Sequence, residues 1–87
     1  MIVSLDNQKF KYYEPMKNVA DLKPGESGTI SGFVDDVISL KLMEMGCLPG
    51  SLIRMNFAAP LGDPISYDIA GYNLTLRISE ASAILIE

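Results

Sequence analysis

Between Gly28 and Glu87 the chain carries five short stretches in which apolar and polar residues alternate. Gly28–Val34 sets Ile30 and Val34 on one side, with Thr29, Ser31 and Phe33 on the other. Ile53, Met55, Phe57 and Ala59 alternate with Leu52, Arg54, Asn56 and Ala58, and Ile65, Tyr67 and Ile69 alternate with Ser66 and Asp68. Leu74, Leu76 and Ile78 alternate with Thr75 and Arg77, and Ala83–Glu87 closes with Ile84 and Ile86 on one side. A period of two marks a strand with one buried face. The breaks are the Pro60-Leu61-Gly62-Asp63-Pro64 loop, Gly71 at a tight hairpin, and a turn over Ser79–Ser82. Strands so short and so closely spaced predict a mainly β fold, a small barrel of about five antiparallel strands, because closure removes edges that a small sheet cannot cover. Leu52–Ala59 and Ile65–Ile69 are expected to pair as neighbours.

One helix interrupts this pattern. Asp35 or Asp36 can cap a helix over roughly Val37 to Met45, and Gly46 is placed to end it in a left-handed conformation. Pro49-Gly50 then fits the central positions of a type II turn. At about 100° per residue, Ile38, Leu42 and Met45 share one face, which is the expected core side. Lys41 and Glu44 form a polar face, while Leu40 and Met43 project to a third side. Either the barrel wraps far enough to cover that third side, or it is an exposed apolar patch for a partner, a use that suits flexible methionines.

The 87 residues make one domain, taken here as residues 18–87, with 1–17 as an extension. Within the extension Lys9, Lys11 and Lys17 outnumber Asp6 and Glu14, whereas the whole chain carries −4. Its Tyr12-Tyr13 pair either docks or frays with the terminus. Val19–Leu22 forms a short turn, helical or extended, closed by Pro24-Gly25.

Charge and residue inventory exclude most chemistries. Seven basic against 11 acidic side chains argue against nucleic acid and against a polybasic membrane anchor. Histidine is absent, which removes the commonest general base and transition-metal ligand. A single cysteine allows no intrachain disulfide, and Cys47 follows a helix C-terminus, where thiolate is disfavoured. Asp35-Asp36 and the Asp63/Asp68 pair lack the spacing of a calcium loop and read as cap and turn residues. There is no phosphate-binding glycine loop and no base to activate a hydroxyl. The reading is a non-enzyme with neither cofactor nor metal ligands. No signal-like or membrane-length apolar run occurs, so a cytoplasmic protein without direct membrane insertion is expected.

Four motifs in register give a resemblance. Lys41-Leu42-Met43-Glu44-Met45-Gly46-Cys47-Leu48-Pro49-Gly50 resembles the helix exit of the FeoA family of ferrous iron transport accessory proteins. Ala59-Pro60-Leu61-Gly62-Asp63-Pro64-Ile65 is similar to that family's A-P-L-G-D-P loop. Leu74-x-Leu76-Arg77 with Ala81…Ile84-Leu85-Ile86 is similar to its last two strands, and Asp21-Leu22-x-Pro24-Gly25-Glu26-x-Gly28 to its entry. The resemblance covers residues 18–87; the extension is longer than the family's usual lead-in.

That resemblance implies an SH3-like barrel with one inserted α-helix. It also implies a cytoplasmic partner of FeoB, the membrane protein that carries a GTP-binding domain and moves Fe²⁺ inward. The alternative is an SH3-like interaction module of the iron-dependent repressor C-terminal type. Such a repressor needs a helix-turn-helix and a metal site upstream, which 17 residues cannot supply. A polyproline-binding module is disfavoured by absent tryptophan and 8% aromatics. The expected partner surface is Leu40, Met43, Cys47 and Leu48, with Leu61 as a second patch on a loop stiffened by flanking prolines. Self-association stays open.

Overall fold

Asn18 fixes the first turn of the computed structural model, which describes residues 17–87. Its side chain accepts the Ala20 N–H at 2.9 Å, while the Asp21 carboxylate accepts the Asn18 N–H at 3.1 Å. This reciprocal pair holds a 3-10 turn over Val19–Asp21 and drives Val19 fully into the core. The reading of residues 1–17 as an extension lies, Lys17 apart, outside the described residues.

The strands are β1 (Ser27–Phe33), β2 (Leu52–Ala58), β3 (Ile65–Ile69), β4 (Tyr72–Leu76) and β5 (Ile84–Ile86). Helix α1 (Asp36–Glu44) lies between β1 and β2, and a short α2 (Ile78–Ala81) lies between β4 and β5. The order across the sheet is β4-β3-β2-β1-β5, every pair antiparallel, and β2 and β3 pair as the alternation predicts. β1 is shared: Ser27–Thr29 pairs with β2, and Ile30–Phe33 with β5. That division bends the sheet around a core containing Ile30, Leu42, Ile53, Tyr67, Leu76 and Ile84.

Two bulges overturn part of the expected facing. The β1–β5 register shifts between Ile30 and Gly32, and the β2–β3 register between Met55 and Phe57. An extra residue reverses the in-out alternation beyond it. Val34, expected beside Ile30, is therefore exposed, whereas Phe33 packs against the core. Phe57, expected inward with Ile53 and Met55, is 63% exposed. Ile78 is likewise exposed, because Ser79–Ser82 lies mostly in α2 rather than in a simple turn.

The mainly β fold of five antiparallel strands with an inserted helix is the expected one, but its two ends are not joined strand to strand. β4 and β5 are the outermost strands and do not pair with each other; α2 packs against β4 and the 3-10 turn. The outer edge of β5 is met instead by the start of the described chain, where Ile86 N–H donates to the Lys17 carbonyl at 3.1 Å.

One buried polar contact ties the sheet to the first turn. The Tyr67 hydroxyl donates to the Val19 carbonyl at 3.1 Å, and burial pushes its phenol up to about 12. Tyr67→Phe leaves that buried carbonyl without its donor, so it should cost about 1–2 kcal/mol in urea unfolding with an unchanged denaturant slope. An unchanged midpoint would show that the bond adds nothing to stability.

Candidate partner-binding site

Helix α1 is built by its two ends. Asp35 caps it by accepting the Ile38 N–H at 2.9 Å. At the other end Gly46, at φ +107°, reverses the chain, its N–H donating to Met43 C=O at 3.0 Å and Cys47 N–H to Leu42 C=O at 2.9 Å. This pair of bonds is a Schellman closure, which brings the residue after the glycine back over the last turn. Leu42 and Cys47 are accordingly both 0% exposed. Cys47 therefore does not belong to a partner surface, and that expectation is corrected. Burial, with the Glu80 carboxylate as a second cause, pushes its thiol up to about 11, so it stays protonated at neutral pH and is a poor nucleophile or ligand.

The other expected residues divide by place. Leu40 is 61% exposed on the solvent side of α1, and Met43 is half-buried. Ile38 and Met45, expected in the core with Leu42, only lean against it. Val37, which the helical reading left unassigned, is 89% exposed. Its spacing of three from Leu40 places both on one face, a signal already present in the sequence. Val37 and Leu40 thus form an apolar pair on the outside of the helix.

Leu48 is half-exposed at the start of the Pro49-Gly50 turn. The Ser51 N–H donates to Leu48 C=O at 3.0 Å, and Gly50, at φ +91°, gives the expected type II turn. Gly50 N–H to Ile30 C=O at 2.7 Å and Ile30 N–H to Ser51 C=O at 2.9 Å anchor this turn to β1. Beside it a groove of about 450 Å³ runs between Met45, Gly46 and Leu48 on one wall and Ile69, Tyr72 and Leu74 on the other. Tyr72 is an exposed aromatic that the sequence reading did not single out.

Leu61 is 96% exposed on a different loop, between β2 and β3. That loop is held by Gly62 N–H to Ala59 C=O at 2.7 Å and Ala59 N–H to Pro64 C=O at 2.9 Å. Asp63 accepts the Ile78 N–H at 2.9 Å, so the loop's carboxylate satisfies the first turn of α2. Asp68, by contrast, accepts the Asn73 amide at 3.2 Å and faces Arg54 at 3.9 Å. The two carboxylates thus serve different structural partners. Asp63→Ala should cost about 1 kcal/mol and speed hydrogen exchange at the Ile78 amide. Unchanged exchange there would remove the loop's assigned role.

Lys41 and Glu80 join α1 to α2 at 3.2 Å. The Arg77 N–H, chiefly, and Lys41 hold the Glu80 carboxyl below the usual range despite partial burial. Among the described residues no cluster of three or more metal-ligating side chains occurs, and no helix is long and apolar enough to cross a membrane.

Known proteins share this arrangement. A FeoA-like protein from Clostridium acetobutylicum superimposes with a TM-score of 0.76 at 33% identity, covering 85% of this chain and 87% of that one. A FeoA from Stenotrophomonas maltophilia, described as a prokaryotic SH3 domain protein and solved with zinc, gives 0.69 at 25% identity, covering 82% and 89%. A fusion of Fe(2+) transport protein A with the Fe(2+) transporter FeoB, from Porphyromonas gingivalis, is 39% identical over 51 residues. Those residues are 59% of this chain but only 6% of the fusion protein. The FeoA domain model matches residues 17–87, and with that match, the five-stranded sheet and its inserted helix, the chain belongs to the FeoA domain family.

Proposed function

We propose that this chain is a cytoplasmic accessory protein of ferrous iron uptake that acts by contact with an FeoB-type, GTP-dependent Fe²⁺ transporter. The observation that carries the reading is the fusion relative, in which a FeoA-like unit and FeoB share one polypeptide. Covalent linkage keeps two units at high effective concentration, which favours pairs that work in contact. The contact surface is the outer side of α1, Val37 and Leu40 with Met43, continued by Leu48 at the turn; Leu61 forms a second patch. The acting unit is residues 18–87, with 1–17 as its extension. The role is contact and not catalysis, since a chain without histidine holds its one thiol buried and protonated.

The direct test is capture of the detergent-solubilised transporter by this protein, with and without guanine nucleotide. Retention above a charge-matched control domain is expected, and its absence under every nucleotide condition overturns the reading. A second expected result concerns iron. Anaerobic calorimetry with Fe²⁺ should show no stoichiometric micromolar site, because imidazoles are absent and thiolate is disfavoured. A saturable one-to-one isotherm would show that the chain holds its cargo directly.

A further inference from the structure

We infer that β4 is a self-pairing edge, through which two copies of this chain join in antiparallel register into one continuous sheet. Among the described residues β4 pairs only with β3, from Ile65 opposite Leu76 to Ile69 opposite Tyr72, without a register shift. The two residues between the strands, Ala70 at φ +50° and Gly71 at φ +86°, form a tight turn with both residues left-handed. Such a turn makes Ile69 and Tyr72 a hydrogen-bonded pair. Tyr72, Leu74 and Leu76 therefore direct their backbone groups to β3, while those of Asn73 and Thr75 point outward. Among the described residues no backbone hydrogen bond reaches this outer edge.

Soluble proteins guard an open edge with charge, proline or a bulge. β4 reads Tyr-Asn-Leu-Thr-Leu and carries none of these. It is also its own complement. A two-fold axis at Leu74 sets Asn73 opposite Thr75 of the second copy, and Thr75 opposite Asn73. The outward N–H and C=O groups of both copies then meet in hydrogen-bonded pairs, and the two Leu74 residues meet in the closer, non-hydrogen-bonded kind.

Charge favours the same register. Arg77 continues the face of Asn73 and Thr75 and falls opposite Gly71 of the second copy, which has no side chain to block it. Diagonal to it lies Asn73 of that copy, whose neighbour on β3 is Asp68. Symmetry forms this Arg77–Asp68 approach twice, in a chain of net charge −4 whose contact strand is itself neutral.

The test uses the full chain. Sedimentation equilibrium should show a mass rising with concentration toward two chains. Thr75→Pro deletes an outward N–H and no bond to β3, so it should return a single chain mass with the melting temperature preserved. Independently, Leu74→Cys sits on the axis within disulfide reach of its mate, whereas Thr75→Cys does not. Mild oxidation should cross-link the first at least about tenfold more than the second, given this geometric limit, and the buried Cys47 does not compete. One chain mass at millimolar concentration, equal cross-linking at both positions, or association that appears only once residues 1–16 are removed would each overturn the proposal.

Discussion

Leu42→Ala should lower the free energy of unfolding by about 3 kcal/mol, toward the lower end of measured leucine truncations in closed cores. Leu42 is 0% exposed, and its carbonyl takes the Cys47 N–H that closes the helix. The truncation therefore opens a cavity beneath α1 at the point where the chain turns back to the sheet. For a domain of this size, total stability is on the order of 5–10 kcal/mol, and each kcal/mol is worth about 4–8 °C. The melting temperature should fall by about 15 °C. Leu40→Ala, two positions earlier and facing solvent, should move it by no more than about 2 °C. Equal losses at both positions would mean that α1 is packed on both sides and has no free face.

Leu40→Glu is the corresponding experiment on function. A charge on an apolar anchor at an interface weakens binding by about 1–2 kcal/mol, so affinity for the solubilised transporter should drop about tenfold. Val37→Glu should act alike, because the two side chains share one face of the helix. Thermal melts should stay cooperative for both variants, since neither side chain is covered in the folded domain. Full affinity with Leu40→Glu would move the contact away from α1, toward the Leu48 groove or the Leu61 loop.

Much of this architecture was legible in residue order. Alternation found the strands, though the fourth starts at Tyr72 rather than Leu74; Asp35 or Asp36 and Gly46 marked the ends of α1, and Pro49-Gly50 gave its turn type. What was not legible is what depends on parity. A bulge adds one residue without any sequence signature, and everything beyond it changes face; Val34 and Phe57 were misplaced for that reason alone. Cys47 was rightly read as an unreactive thiol but wrongly placed on the partner surface, for a different reason. Its surroundings follow from how the Gly46 reversal folds back on Leu42, a three-dimensional consequence of a motif whose presence was correctly read. Val37 was the avoidable miss, since the spacing that grouped it with Leu40 was already visible.

The hydrogen bond from Ile86 N–H to the Lys17 carbonyl has a topological consequence. Entry to and exit from the folded unit lie side by side, at one corner of the sheet. A second domain attached through either end would hang from the same place. Joining the two ends directly would close only a short loop, at small entropic cost. The unit is therefore modular: it can be spliced into or onto another polypeptide without disturbing its core, as small domains with adjacent termini generally can.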